Sequence, residues 1–172
     1  MVSSLDGYVA NQENTVDWMS SKYEYPSGKE LTEKDITTYL TGIDCYIIGA
    51  ETYKTALNLG WPYGDKPVYV LSKIIESSDK DTVTIWNDQL ERLIETISFQ
   101  NIWVAGGPKL VKSFLSKHLA NTLIMTICPQ ILGSGRPFFE NLSDSLQLEL
   151  LDHQAYSDGM IELTYKIHYH GH

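Results

Sequence analysis

The sequence predicts an α/β fold with a largely parallel sheet, and three observations carry that prediction. Short apolar runs alternate with helically spaced segments through the first three quarters of the chain. One run, Ile102-Trp103-Val104-Ala105-Gly106-Gly107-Pro108, passes from strand to helix through a glycine pair. The tail instead alternates apolar and polar residues, as an antiparallel hairpin does. Repeated strand–helix units require a sheet covered on both sides. The 172 residues suit one domain, residues 1–172, with a single substantial core.

In chain order, Thr32 followed by Asp35 resembles a capping box, with Asp in place of the usual Glu or Gln. Ile36, Tyr39 and Leu40 give the helix its inner face, and Gly42 suits its end. Residues 43–48 read as a buried strand. Residues 49–57 read as a second helix, opened by Gly49-Ala50-Glu51-Thr52. Residues 58–66, with Gly60, Trp61, Pro62 and Gly64, read as a loop. Residues 67–71 form another strand. Residues 82–85 form a strand feeding a helix capped by Asn87, with Leu90, Leu93, Ile94 and Ile97 facing inward. At the glycine pair, two residues without a Cβ follow β-favouring ones. Pro108 takes the first helical position, where its missing N–H costs nothing. Leu110, Val111, Phe114 and Leu115 give that helix an apolar stripe. Residues 123–128 form a strand and residues 133–137 a loop. In the tail, Leu146, Leu148 and Leu150 alternate, as do Ile161, Leu163, Tyr165 and Ile167, around the turn Ser157-Asp158-Gly159. One face of that hairpin is expected to be buried.

Two readings fit the glycine-pair turn: a tight connection, or a place where a phosphate meets free N–H groups at a helix start. The net charge of −9 argues against a nucleic-acid or acidic-membrane surface. No apolar run reaches the ~18 residues of a membrane span. No leader pattern opens the chain, so a cytoplasmic location is expected. Cys45 and Cys128 sit in apolar runs and read as buried, reduced thiols. His168, His170 and His172 alternate near the end; a metal site and a frayed polar terminus both fit, and no metal is expected.

Several motifs then resemble one family. Ser4-Leu5-Asp6-Gly7-Tyr8-Val9-Ala10 and Val16-Asp17-Trp18 open the series. Ile48-Gly49-Ala50-Glu51-Thr52-Tyr53, Pro67-Val68-Tyr69-Val70-Leu71-Ser72, Val104-Ala105-Gly106-Gly107 and Ile131-Leu132-Gly133-Ser134-Gly135-Arg136-Pro137 follow in order. Together they resemble the dihydrofolate-reductase-like superfamily, in the branch of the reductase domain of bifunctional riboflavin-biosynthesis deaminase–reductases. The resemblance spans nearly the whole chain. It implies a three-layer fold: a mostly parallel twisted sheet of about eight strands, helices on both faces and a C-terminal antiparallel hairpin. Relatives carry several apolar residues before Ser4, so the first strand is expected to be very short or the chain to begin late.

The resemblance also implies NADPH as cofactor. Gly106, Gly107 and the helix start through Pro108, Lys109 and Leu110, after Ala105, would hold the pyrophosphate. Gly49, Ala50, Glu51 and Thr52 would supply a second helix start. Many relatives carry an Arg where this chain has Ala50, so one phosphate-facing cation is missing. Leu71, Ser72 and Lys73 would hold the 2′-phosphate, with Lys54 and Lys109 as possible helpers. Ala10, Trp18 and the backbone near Ser3 and Ser4 would line the nicotinamide end. Asp6 is a family hallmark and also reads as a turn residue.

Hydride delivery to a C=N bond needs a proton for nitrogen, which a carboxyl group in an apolar pocket can supply. Matching the interval before the Gly49 turn lands on Glu33, ahead of Asp35, with Thr126 as the hydroxyl bonded to that acid. Acidic residues in a first helical turn are also common for dipole reasons. Lys66 stands where folate reductases use an Arg, and lacks its bidentate fork. Arg136 is a candidate for a substrate phosphate. No deaminase or zinc motif accompanies these residues. The expected activity is therefore an NADPH-dependent reductase acting on a pyrimidine- or pterin-like small molecule. Dihydrofolate reduction and a non-catalytic nucleotide-binding role are the alternatives. A homodimer through the terminal hairpin is expected.

Overall fold

The computed structural model describes residues 1–140, 142 and 145–169. The elements in order are β1 (Val2–Ser4), β2 (Tyr8–Ala10), a 3-10 turn (Asp17–Met19), α1 (Glu33–Thr41), β3 (Cys45–Gly49), α2 (Ala50–Asn58), β4 (Val68–Leu71) and β5 (Val83–Trp86). Then come α3 (Leu90–Thr96), β6 (Ile102–Gly106), α4 (Pro108–Ser116), β7 (Thr122–Cys128), β8 (Arg136–Pro137), β9 (Gln147–Ala155) and β10 (Ile161–His168). They belong to two compact units, residues 34–111 and residues 1–33 with 112–172.

In the 34–111 unit the strands run in the order β5-β4-β3-β6, every pair parallel. Cys45, Tyr46, Ile47 and Ile48 are all buried, as an uninterrupted apolar strand in a parallel sheet must be. Tyr46, Ile48, Tyr53, Val68 and Val70 form the core, with Trp61, Tyr63 and Trp103 packed against it. Tyr46 lies 4.7 Å from Tyr63 and 5.6 Å from Trp103 between ring centroids. These contacts hold the 59–66 loop against the sheet, so the loop ends at a fixed place. There the Lys66 ammonium donates to the carbonyls of Leu40 (2.8 Å), Thr41 (3.3 Å) and Ile43. It thereby gathers the last carbonyls of α1 and the Ile43 carbonyl just beyond it around one ammonium.

In the other unit the order is β1-β7-β10-β9. β1 is parallel to β7, with Ser4 opposite Cys128, whereas β7, β10 and β9 are antiparallel. β2 and β8 make a separate antiparallel ladder, with Ala10 opposite Arg136.

The α/β class and the terminal hairpin are as the sequence predicts, and β1 is indeed only three residues long. The single mostly parallel sheet is not what is found. Among the described residues the strands form two four-stranded sheets and one two-stranded ladder, and only the 34–111 sheet is wholly parallel. Hydrophobic periodicity marks which segments are strands, not which edges join. The hairpin also differs: Gln147 to His153 of β9, an edge strand with β10 as its neighbour, are all exposed, so neither face of the strand is buried along that stretch. α3 has Gln89, not Asn87, at its N-cap, and Asp88 accepts from the Gln89 N–H at 2.7 Å. Leu90 and Leu93 face the core as expected.

Cys45 and Cys128 are buried and unbridged. His168 pairs with Glu149 at 2.8 Å, while His170 and His172 lie outside the described residues. Among the described residues no His, Cys, Asp and Glu group is placed to hold a metal, and no helix is long and apolar enough to cross a membrane.

Candidate functional site

Three strand ends in the 34–111 unit lie level. Gly49 pairs with Leu71 across β3 and β4, and Ile48 pairs with Gly106 across β3 and β6. α2 begins immediately after β3, with Gly49 as an N-cap that brings no side-chain hydrogen bond to the helix. After β6, Gly106 takes φ +110°, a conformation glycine tolerates, and is joined to Gly107 by a cis peptide. Pro108 then opens α4. The two turns are neighbours. A Cβ on Gly49 would sit 3.9 Å from the Gly106 oxygen and 4.0 Å from the Gly107 nitrogen. A Cβ on Gly107 would sit 3.7 Å from the Thr52 Oγ1. Two helix starts therefore converge where the surface is mostly backbone, an arrangement suited to an anion. Their donors are not all available: the Leu110 and Val111 amides both return to the Gly107 carbonyl, at 2.9 and 3.1 Å. Glu51 adds a negative charge to the first turn of α2, paired with Lys54 at 2.9 Å.

At the end of β4, Ser72 is buried, and its Oγ accepts from the Ile74 and Ile75 amides at 3.1 and 2.9 Å. Its own N–H donates to Trp86 at 3.0 Å. The hydroxyl proton is left to donate elsewhere. Lys73 follows, exposed. One sheet end thus gathers Gly49 to Thr52, Leu71 to Lys73 and Ala105 to Leu110.

The remaining candidates belong to the other unit, except Asp35, which is half-buried on α1, and Lys66. Asp6 accepts from the Ser4 hydroxyl at 2.7 Å and from the Leu132 and Gly133 amides at 3.0 and 2.7 Å. The Ser4 bond first, then those amides, holds the Asp6 carboxyl below the usual carboxylate range. Ala10 and Trp18 are buried, and the Trp18 indole donates to the Thr15 carbonyl at 3.2 Å. Arg136 is half-buried beside a concavity also lined by Asn11, Gln12, Asn14, Ser134 and Gly135.

A model of the RibD C-terminal domain matches residues 1–161. The chain belongs to the RibD C-terminal domain family. It is 32% identical over 152 residues to the uncharacterized protein YwjB of Bacillus subtilis (strain 168), covering 86% of this chain and 84% of that one. A second uncharacterized protein of that bacterium, YyaP, is 23% identical over 98% of this chain and 92% of its own. Among solved structures, a Shewanella sp. PV-4 protein provisionally assigned to riboflavin biosynthesis superposes with a TM-score of 0.84 at 24% identity, over 98% and 97% of the two chains. A pyrimidine reductase-like protein of Corynebacterium diphtheriae gives 0.65 at 19% identity, over 98% of this chain and 90% of that one. Acinetobacter baumannii RibD gives 0.69 at 16% identity, and there this chain covers 56% of the larger protein. Below 25% identity these likenesses establish the fold.

Two expected pairings of this RibD C-terminal domain are replaced by others. The Thr126 hydroxyl donates to Glu162 at 3.4 Å, not to Glu33, which is exposed at the start of α1. Tyr156 donates to the same carboxylate at 3.4 Å. Glu162 sits directly opposite Thr126 in the β7–β10 register, a relation that no local sequence pattern reveals. Lys66 is likewise taken up by the end of α1, where carbonyls surround its ammonium. That leaves it unsuited to hold a substrate carboxylate.

Proposed function

We propose that this RibD C-terminal domain is an NADPH-dependent reductase delivering a hydride to a pyrimidine- or pterin-like small molecule. The reaction resembles that of 5-amino-6-(5-phosphoribosylamino)uracil reductase. The observation that carries the reading is the level pair of glycine turns at Gly49 and Gly106-Gly107, beside Ser72 and Lys73 on one sheet end. When bound, NADPH supplies the hydride and the protein supplies position. The backbone of Gly49 to Thr52 and of Gly106 to Leu110 approaches the pyrophosphate. The Ser72 hydroxyl proton and the Lys73 ammonium meet the 2′-phosphate. Ala50 leaves the α2 turn without a cation of its own, so Lys73 carries much of the charge match.

Asp6 does not serve as the proton donor in this reading. Its oxygens already accept three hydrogen bonds, and its carboxyl is held ionised. Glu33 and Asp35 remain the candidate acids. The Lys66 cap speaks against dihydrofolate as substrate, because the expected cation for its carboxylate is engaged elsewhere. Free buried thiols suit the reducing cytoplasm. The exposed edge of β9, with Leu148, Leu150 and Leu151 uncovered, is the surface through which a second copy would pair.

Steady-state NADPH oxidation tests the activity. The phosphoribosylamino-uracil substrate should be reduced and dihydrofolate should not exceed the buffer rate. NADPH binding with no oxidation across pyrimidines and pterins would instead identify a non-catalytic nucleotide-binding protein.

A further inference from the structure

We propose that the turn of the β9–β10 hairpin holds the segment from Trp18 to Lys29 in place before any nucleotide binds, and that Gly28 is the positioning residue for this contact. The inference rests on the nucleotide reading, in which Trp18 belongs to the nicotinamide end.

Residues 20–32 contain no helix and no strand beyond one isolated bridge. A connection of that length is costly to order unless something ties it down. One tie is local. Tyr25-Pro26-Ser27-Gly28 is a β-turn with proline at its second position, and the Gly28 N–H donates to the Tyr25 carbonyl at 2.8 Å. The other ties come from the hairpin, more than 120 residues away in sequence. The Tyr25 N–H donates to the Ser157 carbonyl at 2.7 Å. The Lys29 N–H donates to the Ala155 carbonyl and the Ser157 N–H to the Lys29 carbonyl, both at 2.9 Å. Lys29 and Tyr156 form the parallel bridge between them. At the start of the segment Trp18 is buried, and its carbonyl accepts from the Cys128 thiol at 3.8 Å, at the end of β7.

Gly28 permits this fit. A Cβ there would lie 2.3 Å from the Tyr156 carbonyl oxygen and 2.6 Å from the Ser157 nitrogen. The Tyr156 carbonyl is fixed in turn. It accepts from the Gly159 N–H at 3.0 Å, while the Tyr156 N–H donates to Met160 at 2.9 Å and its phenol to Glu162 at 3.4 Å. Any side chain at position 28 therefore parts the segment from the hairpin. The contact adds little to a core, since Tyr23 and Tyr25 are both exposed. Its backbone bonds supply position. A wall ordered in advance spares a ligand the entropy of ordering it. The nicotinamide end then needs no loop closure, and a nucleotide without nicotinamide does not sense Gly28.

Amide hydrogen exchange and nucleotide titration of the full chain test this together. The Tyr25, Lys29 and Ser157 amides should exchange slowly in the nucleotide-free chain and gain no protection at saturating NADPH. In Gly28→Ala they should exchange as exposed loop amides do. NADPH affinity should fall about fivefold or more in that variant, while adenosine 2′,5′-bisphosphate keeps its affinity. A general weakening of the fold would lower both. Pro26→Ala loosens the turn without adding an atom against Tyr156. It should give a smaller loss of the same kind, and it serves should Gly28→Ala fail to fold. Fast exchange in the free chain with protection gained only on NADPH binding would overturn the inference, because the segment would then close on its ligand. Equal losses for the two nucleotides, or none for either, would overturn the role of Gly28 alone. Binding of neither nucleotide by the unsubstituted chain would overturn the nucleotide reading and this role with it.

Discussion

At the scale of single residues, Asp6 shows how one side chain serves as a clamp. Its pKa is lowered in the folded chain, first by the Ser4 hydroxyl and then by the Leu132 and Gly133 amides. A carboxylate with a depressed folded pKa stabilises the fold above its unfolded value of ~3.9, and that contribution disappears as pH falls through the folded value. The Leu132 and Gly133 amide resonances should therefore hold constant from neutral pH down to about 4 and move together below it. In Asp6→Asn that acid transition should vanish. The role was half legible in the sequence, since Asp6-Gly7 reads as a turn. The grip on residues more than 120 positions away was not, because it depends on β1 pairing with β7. Lys66 and Thr126 are the same lesson. The sequence reading gave Lys66 a substrate and Thr126 the Glu33 acid; the partners they have come from segments whose adjacency only the folded chain establishes.

At the scale of elements, the strand–glycine pair–helix unit was legible in detail. β6 ends at Gly106, Pro108 opens α4, and Leu110, Val111, Phe114 and Leu115 are buried as their spacing requires. Local pattern suffices there because strand end, turn and helix start are contiguous. The β2–β8 ladder was not legible, its strands being two and three residues long. Its test is Gly135→Ala. With φ at +147° and the Ala10 oxygen in the way, the added methyl should cost about 2–3 kcal/mol and lower Tm by roughly 5–10 °C. The end of α1 gives a contrasting case. Lys66→Met removes the ammonium from the Leu40, Thr41 and Ile43 carbonyls and should cost about 1–2 kcal/mol in denaturant unfolding. If Lys66 has only this capping role, nucleotide affinity should stay at the level of the unsubstituted chain.

At the scale of the whole molecule, the α/β class and the family follow from motif order, whereas the division of the strands into separate sheets does not. Periodicity identified β3 to β7, β9 and β10 and could not say how the ladders join. The apolar tail misled for a related reason: alternation in β9 marks a strand but does not say whether anything packs on its apolar face, and Leu148 and Leu150 are exposed. Both thiols are fully buried, and desolvation, reinforced by Asp44, pushes Cys45 up to about 11. Neither should react with a disulfide reagent in the native chain, and two should react in denaturant; fast native labelling would show that the cores open. On the proposed function, the two glycine turns and Ser72-Lys73 form a nucleotide-phosphate cradle. The direct measurement is equilibrium titration with NADPH and NADH of the unsubstituted chain and of Gly49→Ala. The added Cβ meets only ordinary contacts at 3.9 and 4.0 Å, so the variant should fold unchanged. NADPH should bind saturably, NADH should bind about tenfold more weakly, and Gly49→Ala should lose about fivefold or more in NADPH affinity. No saturable NADPH binding, or binding that ignores both the 2′-phosphate and the Gly49 methyl, would contradict it.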